Sequence, residues 1–229
     1  MKKTMARSGA FVIVLSLLLG LLSGCAAARA AAPEDADAPP EPRNVSEDLL
    51  LLVDFQNVYM PGQEWACPSM PETIKNTIRI LDAENAPDVV MTRFIAPEEP
   101  TGRWAVYNEA YREINGNEFL GEFVPELEPY ARRVTVVEKS TYSSVNEEVL
   151  SALEGKKAVV MAGVVADCCI LATMFDAMDL GYEVVYLYDC IAGVSEESEA
   201  EIRALAEIFS PIHTTVMSSE EYLAAISGG

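Results

Sequence analysis

Residues 157–189, "KAVVMAGVVADCCILATMFDAMDLGYEVVYLYD", contain two apolar runs separated by a segment of helical character. The runs 157–165 and 183–189 have the length and the β-branched content of buried strands. The segment 169–180 is apolar nearly all round, which predicts a helix buried on most sides, and Gly181 is typical of a helix end. Strand, helix and strand in this order predict two parallel strands joined by a helix.

The same alternation continues through the rest of the chain. Further strands are predicted at 49–55, 88–94, 133–139 and 213–217, and further helices at 71–84, in part of 104–113, at 145–153 and at 196–208. This pattern predicts an α/β protein with three layers, α/β/α, around a mostly parallel, Rossmann-like sheet of roughly six strands. No Gly-x-Gly-x-x-Gly follows the first strand, which argues against a dinucleotide-binding domain. Ligands of such sheets bind beyond the carboxyl ends of the strands.

The N-terminus has the features of an export signal. A basic start is followed by a continuous apolar core at 10–22, which is shorter than a typical transmembrane helix. Residues 1–24 are therefore predicted to be a signal peptide. The segment "LSGC" at 22–25 resembles the lipobox of bacterial lipoproteins, which implies lipidation of Cys25. The alternative is an ordinary leader in which Cys25 has no role. We expect an exported protein, lipid-anchored to the outer face of a bacterial membrane.

The remaining chain divides into a linker and one domain. Residues 25–46 are rich in Ala, Pro and acidic residues and predict a flexible tether, whereas 47–226 have the size of one domain. The formal net charge is −20, and −23 once the three basic residues of the leader are removed. Such a charge argues against binding to nucleic acid or to anionic lipid. The expected partner is a small-molecule substrate, with membrane contact through the anchor alone.

Three reactive side chains stand at predicted strand ends. Asp54 closes the first strand, Lys139 closes the strand 133–139, and Cys169 follows the strand 157–165. On one rim they form a set suited to nucleophilic catalysis, in which Lys139 and the amino end of the helix at 169 stabilise the thiolate of Cys169. Asp54 then accepts the thiol proton and later passes a proton to a leaving amine.

The segments "LLLLVDFQN", "EKSTYSS" and "GVVADCCILATMFDAMDLGYEVVYLYDCIAG" resemble the isochorismatase-like cysteine hydrolases, over about residues 49–217. The resemblance implies that Cys169 is the nucleophile, that Asp54 and Lys139 complete the catalytic triad, and that Cys168 is not catalytic. It also implies a cis peptide bond between Val164 and Val165. The N–H groups of Val165 and Cys169 would then form the oxyanion hole.

The presence of the cysteine implies hydrolysis of a C–N bond, in an amide, carbamoyl or ureido compound, through a thioester. The chain departs from the family at Ala166, where a threonine is common. Nicotinamidases of the family hold a metal with several histidines, but His213 is the single histidine of this chain, so no metal and no cofactor are expected. Residues predicted to line the substrate pocket are Phe55, Gln56, Arg93, Trp104, Tyr107 and Tyr142; alternatively the aromatic ones pack in the core or a lid, and Arg93 pairs with a nearby acid.

The other cysteines leave alternatives open. Cys67 and Cys190 form a disulfide, or all thiols are free and buried, which is slightly favoured. Two functions compete with the hydrolase: a thiol redox protein that uses Cys168 and Cys169, and a non-catalytic, lipid-anchored binding protein with the same fold. Adjacent thiols close a strained ring, which argues against the first, and the retained triad argues against the second. Assembly into a homo-oligomer also stays open.

Overall fold

The computed structural model describes residues 42–227. The predicted signal peptide, the lipidation residue Cys25 and most of the predicted tether lie outside this range. Within it, no helix is both long enough and apolar enough to cross a membrane.

A single sheet of six strands, all parallel, lies at the centre of the described chain, in the order β3-β2-β1-β4-β5-β6. The strands are β1 (Asp48–Val53), β2 (Asp88–Phe94), β3 (Thr135–Lys139), β4 (Ala158–Val164), β5 (Glu183–Ala192) and β6 (Thr214–Met217). The predicted α/β class and the parallel six-stranded sheet are confirmed.

Helices cover both faces of the sheet. They are α1 (Met70–Leu81), α2 (Arg103–Ala110), α3 (Arg112–Asn115), α4 (Glu118–Gly121), α5 (Glu128–Ala131), α6 (Glu147–Ala152), α7 (Leu171–Asp179), α8 (Glu196–Ile208) and α9 (Ser219–Ser227). Helices α1 and α9 pack on one face, and α6, α7 and α8 pack on the other. The short helices α4 and α5, and also α9, were not predicted from the sequence.

The central strand β1 contributes to two hydrophobic cores. Leu50 and Leu52 point into the core beneath α1 and α9, whereas Leu49, Leu51 and Val53 point into the core beneath α6, α7 and α8. All five side chains are essentially inaccessible to solvent. This two-sided burial explains why the strand reads as a continuous apolar run and why it lies inside the sheet.

Helix α7 is less buried than its sequence predicts. Met174, Ala177 and Met178 face the core, but Phe175 is 37% exposed and Leu180, just past the helix, is 52% exposed. The expectation of burial on most sides is therefore corrected. The helix packs on the sheet through one face, and on its outer side Phe175 contacts Phe209, just past α8, with 5.6 Å between the ring centroids.

The N-terminal limit of the folded part precedes the predicted domain start at residue 47. The N–H of Arg43 donates to Ala225 O at 3.0 Å, and its guanidinium pairs with Asp48 and Glu183 at 3.0 and 3.1 Å. Residues predicted to belong to the tether thus contact the sheet. This contact could not be predicted, because a lone arginine in a Pro-rich and acidic segment has no periodicity to detect.

Candidate active site

Asp54 directly follows β1 and is fully buried at the carboxyl edge of the sheet. Its φ of 54° lies in the left-handed region, which a short polar side chain tolerates better than a bulky one. Its N–H donates to Thr92 O at 3.1 Å, and its Oδ1 accepts from Thr92 Oγ1 at 3.0 Å. Thr92, on the neighbouring strand β2, therefore holds both the backbone and the carboxylate of Asp54.

Lys139 ends β3 and places its ammonium between Asp54 and Cys169. The Nζ atom lies 2.6 Å from Asp54 Oδ2 and 3.4 Å from Cys169 Sγ, and it donates to the carbonyl oxygens of Thr141 and Tyr142 at 2.9 and 3.0 Å. Burial acts to lower the pKa of Lys139, but Asp54 and Cys169 together raise that pKa above its ordinary value. The side chain therefore remains a buried ammonium.

The two oxygens of Asp54 have different neighbours. Oδ1 accepts from Thr92 Oγ1, whereas Oδ2 lies 2.6 Å from Lys139 Nζ. The ammonium has three protons for four nearby acceptors, which are the two carbonyl oxygens, the sulfur of Cys169 and Oδ2. The ammonium therefore balances the charge of the carboxylate, and Oδ2 lies beside the same ammonium as the thiol.

Cys169 lies in a π-helical turn, Ala166–Ile170, that connects β4 to α7, rather than in the first turn of the α-helix as expected. The residue is 4% exposed. Burial raises the pKa of its thiol and Asp54 raises it further, while Lys139 lowers it without reversing the shift. Lys139 thus favours the thiolate, as expected, but burial and Asp54 oppose it, so the activation of Cys169 stays a prediction.

The turn before the nucleophile has the geometry that the resemblance implies. The peptide bond between Val164 and Val165 is cis. The N–H groups of Cys168 and Ile170, which flank Cys169, both donate to Val165 O, at 3.0 and 3.2 Å. Val165 and Cys169 therefore belong to one compact turn, and the assignment of their N–H groups to an oxyanion hole stays a prediction.

Three predicted pocket residues are brought together. The ring centroids of Trp104, Tyr107 and Tyr142 lie 4.9 to 6.4 Å apart, and Phe94 completes this aromatic cluster at 6.2 Å from both Trp104 and Tyr107. The cluster adjoins the catalytic residues because Lys139 Nζ is 5.7 Å from the ring centroid of Phe94. Burial raises the pKa of both tyrosines, so their phenols stay neutral.

Three other predicted pocket residues are engaged within the protein. Phe55 is fully buried in the core beneath α1. The Gln56 amide is engaged with the backbone, since its Nε2 donates to Phe94 O and Gly121 O at 3.0 and 2.8 Å and its Oε1 accepts from Phe94 N at 2.8 Å. Arg93 donates through Nε to Glu138 at 3.1 Å, which is the alternative pairing with a nearby acid. A contact of these residues with substrate stays a prediction.

The site is closed in this structure. A cavity of about 40 Å³ lies next to the aromatic cluster, bounded by residues that include Gln56, Tyr59, Trp65, Phe94 and Leu120. Asp54, Lys139 and Cys169 do not border this cavity and are themselves buried, so a substrate reaches the sulfur only when neighbouring residues move.

Three polar residues around the triad are not among the predicted site residues. Thr92, Ser144 and Thr173 are fully buried and link the triad through their hydroxyl groups. One signal was available for Thr92, a polar residue inside the apolar strand "DVVMTRF". Ser144 and Thr173 had none, because a single hydroxyl in a loop or a helix is common.

Across residues 42–227, no group of three or more His, Cys, Asp or Glu side chains is arranged to hold a metal ion. His213 is exposed immediately before β6. The four cysteines of this range, Cys67, Cys168, Cys169 and Cys190, are all free thiols, so the alternative of a Cys67–Cys190 bridge is not formed. Burial raises the pKa of Cys67 and of Cys190 to about 12.

Comparison with known proteins places this geometry in a family context. The profile of the "Isochorismatase domain" matches residues 48–221. A curated protein, the "Secreted isochorismatase effector Isc1" of Verticillium dahliae, is 23% identical over 192 residues, which cover 80% of this chain and 94% of that protein.

Solved structures share the fold. A cysteine hydrolase from Pseudomonas syringae pv. phaseolicola 1448A superposes with a TM-score of 0.70 at 19% identity, covering 84% of this chain and 99% of the other. An N-carbamoylsarcosine amidase from Thermoplasma acidophilum gives a TM-score of 0.58 at 21% identity, covering 76% and 97%.

Proposed function

The chain belongs to the isochorismatase domain family of hydrolases, and on that premise we propose that it is a cysteine-dependent hydrolase cleaving a C–N bond of a small amide, carbamoyl or ureido compound. One observation carries the proposal: the buried contact of Lys139 Nζ with Asp54 Oδ2 at 2.6 Å and with Cys169 Sγ at 3.4 Å. Burying an ion pair is costly, and a merely structural cysteine does not require one at its sulfur.

The first half of the reaction acylates the enzyme. As Cys169 Sγ attacks the substrate carbonyl carbon, its proton passes to Asp54 Oδ2, the carboxylate oxygen on the side of Lys139. The developing oxyanion is assigned to the N–H groups of Val165 and Cys169. Lys139 keeps its proton and balances the charge that moves from the carboxylate to the sulfur.

The second half releases the products. The tetrahedral intermediate collapses to a thioester as its C–N bond breaks, and the proton on Asp54 passes to the leaving nitrogen. Asp54 then takes a proton from water, which attacks the thioester. Collapse of the second intermediate yields a carboxylic acid and returns the proton to Cys169. The net change is the addition of one water molecule across the C–N bond.

The surroundings of the sulfur favour an uncharged substrate with an apolar or aromatic part. The aromatic cluster offers ring faces and neutral phenols. Arg93 and Lys139 are already engaged, with Glu138 and Asp54 respectively. A substrate carboxylate beside the sulfur would therefore find neither cation free and would lose its hydration.

The proposal is tested with a panel of uncharged amides, N-carbamoyl compounds and ureido compounds, by measuring released amine or ammonia. Cys169→Ser is expected to lower kcat/KM by about 1,000-fold or more, because the hydroxyl is a far weaker nucleophile. Cys168→Ser is the matched control and is expected to stay within about threefold of the wild type. Acid quenching followed by mass spectrometry should detect an acyl group on Cys169 alone.

The same experiment separates the competing functions. Equal loss of activity in both serine variants, with a disulfide between the two cysteines in the wild type, would support the redox protein instead. Tight binding of a panel compound without turnover or acylation would support the non-catalytic binding protein.

We further propose that the protein is exported and carries a lipid on Cys25. The basic and apolar start of the chain, its lipobox-like segment and the name of the secreted relative from Verticillium dahliae support this proposal. Cys25→Ser should abolish incorporation of a labelled fatty acid and release the protein from the membrane fraction. Incorporation that persists in this variant would refute the anchor.

A further inference from the structure

Three buried hydroxyl groups link the members of the triad. Thr92 Oγ1 lies 3.0 Å from Asp54 Oδ1 and 3.2 Å from Ser144 Oγ. The N–H of Ser144 donates to Thr173 Oγ1 at 2.9 Å, and Thr173 Oγ1 donates to Cys169 O at 2.6 Å. Thr92, Ser144 and Thr173 are each 0% exposed, so no solvent replaces these bonds.

The directions of these hydrogen bonds follow from counting protons. A carboxylate accepts hydrogen bonds and does not donate them, so the single hydroxyl proton of Thr92 points to Asp54 Oδ1. Ser144 must then donate its own proton to Thr92 Oγ1. The chain of hydroxyl groups therefore runs in one direction and ends on one oxygen of Asp54.

This arrangement makes the two oxygens of Asp54 unequal. One oxygen, Oδ1, accepts from Thr92, whereas the other, Oδ2, lies beside Lys139. Rotating the carboxylate out of this plane would leave the buried hydroxyl of Thr92 unpaired, which is unfavourable. The orientation of the carboxylate is thus fixed, with one oxygen on the side of Lys139, whose Nζ also contacts Cys169 Sγ.

Thr173 links the other half of the site. Its hydroxyl joins the backbone of Ser144, in the loop after β3, to the backbone of Cys169 in the turn after β4. The same loop supplies the carbonyl oxygens of Thr141 and Tyr142 that hold the ammonium of Lys139. Thr173 therefore fixes the distance between the nucleophile and the loop that holds the ammonium.

We propose that Thr92, Ser144 and Thr173 are positioning residues that select Asp54 Oδ2 as the proton acceptor for Cys169. This inference rests on the proposed hydrolase function and adds to the triad a set of residues that touch no substrate. Thr92 also stabilises the negative charge of the carboxylate, because a hydrogen bond to a charged group favours the charged form. Its loss changes the proton affinity of the site as well as its geometry.

The test compares Thr92→Val, which keeps the shape of the side chain but lacks the hydroxyl, with Thr92→Ser, which keeps the hydroxyl. Thr77→Val is the matched control: Thr77 is equally buried in α1, and its hydroxyl bonds to Thr73 O. Two properties are followed across a pH series. One is the infrared carboxyl band of the site, with Asp54→Asn as the blank. The other is the alkylation rate of Cys169 by iodoacetamide, measured by peptide mass spectrometry.

We expect Thr92→Val to shift proton uptake by the coupled Asp54–Cys169 pair upward by about one pH unit and to slow alkylation of Cys169 about tenfold. Thr92→Ser should return the pH of proton uptake close to its wild-type value. It should also return the alkylation rate of Cys169 to within about twofold of the wild-type rate. Thr77→Val should match the wild type. If Thr92→Val fails to fold, Ser144→Ala, which removes the donor to Thr92, should shift proton uptake in the same direction by a smaller amount.

The outcomes separate this inference from the proposed function. A pH dependence in Thr92→Val equal to that of Thr77→Val would overturn the positioning role, even if the wild type hydrolyses amides. A shifted infrared band in a protein that hydrolyses no panel compound would retain the positioning role and refute the proposed activity. Equal loss in the valine and serine variants of Thr92 would indicate a packing role and also overturn the inference.

Discussion

At the scale of single residues, the charge balance of the site depends on Lys139. Its ammonium contacts both Asp54 and Cys169, and the side chains of Lys139 and Asp54 are 2% and 0% exposed. In such a place water cannot compensate a lost partner. Removing one member of a buried ion pair typically costs about 3–5 kcal/mol of stability.

Lys139→Met is expected to lower the free energy of unfolding by about 3 kcal/mol at neutral pH, because it leaves the Asp54 carboxylate buried without a cation. Urea denaturation measures the change. The matched control is Lys75→Met, whose ammonium pairs with Glu72 on the surface, and it should change stability by less than about 0.5 kcal/mol. The double variant Asp54→Asn/Lys139→Met should recover part of the loss, and simple additivity of the two substitutions would contradict the coupling.

At the scale of elements, apolar runs made the sheet predictable while local backbone geometry did not. Strand β2 has the predicted bounds, since an apolar run buried in a parallel sheet is a strong signal. The π-helical turn Ala166–Ile170 was missed because its sequence fits an ordinary helix equally well. Helix α9 was missed because its apolar pattern is short, with only nine residues in the helix.

The same distinction holds for the candidate site. The triad could be predicted because each member ends a strand, and the ends of parallel strands share one edge of the sheet. The engagement of Gln56 with the backbone and the pairing of Arg93 could not, since both depend on side-chain directions set by packing. The raised pKa of the Cys169 thiol likewise depends on burial, which strand ends do not reveal.

Gly163 lets β4 approach β1 closely just before the catalytic turn. Its φ is 127°, and a Cβ at this position would lie 2.1 Å from Val53 O. Gly163→Ala is expected to destabilise the protein by about 3 kcal/mol or more, through backbone strain and a clash that neither strand can relieve. Denaturation with urea measures this. Gly121→Ala, where a Cβ meets nothing within 4 Å, should change stability by less than about 1 kcal/mol, and similar losses in both variants would contradict the argument.

The aromatic cluster adjoins the triad, and we expect it to limit the access of reagents to Cys169 Sγ. Trp104→Ala removes the ring that contacts both Tyr107 and Tyr142, so we expect iodoacetamide to alkylate Cys169 several-fold faster than in the wild type. Peptide mass spectrometry gives the rate at that residue. Phe175→Ala, on the outer face of α7, is the control and should leave the rate unchanged. A rate in Trp104→Ala no higher than in the control would show that the cluster does not limit access.

At the scale of the whole molecule, the first described residues hold the two ends of the segment 42–227 together. Arg43 bonds to Ala225 through its backbone and to Asp48 and Glu183 through its side chain, while Tyr222 in α9 donates to Asp48 Oδ2 at 2.9 Å. The side chain of Asp48 is 3% exposed. This network therefore belongs to the folded domain rather than to a linker.

Arg43→Ala is expected to lower the free energy of unfolding by about 2 kcal/mol, because Asp48 stays buried without its cation while the more exposed Glu183 loses little. The midpoint of thermal unfolding should fall by several degrees. Arg79→Ala removes an exposed guanidinium in α1 and should leave the midpoint within about one degree of the wild type. An equal fall of the unfolding midpoint in both variants would show that Arg43 does not stabilise the folded domain.

The buried thiols set an alkaline limit to stability. Burial raises the pKa of Cys67 and of Cys190 from 9.0 to about 12, so the native state keeps both protons at a pH where the unfolded chain loses them. The contribution of these two thiols to the free energy of unfolding is fully present below about pH 9. As the pH rises toward 12, the free energy of unfolding falls by up to about 1.4 kcal/mol per pH unit for each thiol. Urea denaturation at increasing pH measures the slope.

The double variant Cys67→Ala/Cys190→Ala is the control for this alkaline loss. It should be less stable at neutral pH, because it leaves cavities in the core, but its stability should fall less steeply above pH 9. A slope as steep as that of the wild type would assign the alkaline loss to other groups.

The order of the strands has a consequence for when the protein becomes reactive. Lys139, Thr92 and Asp54 come from β3, β2 and β1, and Cys169 follows β4, so four adjacent strands each contribute one part of the site. Each of these pairings joins distant parts of the chain, so the site is complete only when all four strands have paired. A newly synthesised or incompletely folded chain therefore carries an ordinary cysteine and an ordinary aspartate, separated by more than a hundred residues. Its chemistry stays latent until the middle of the sheet has assembled.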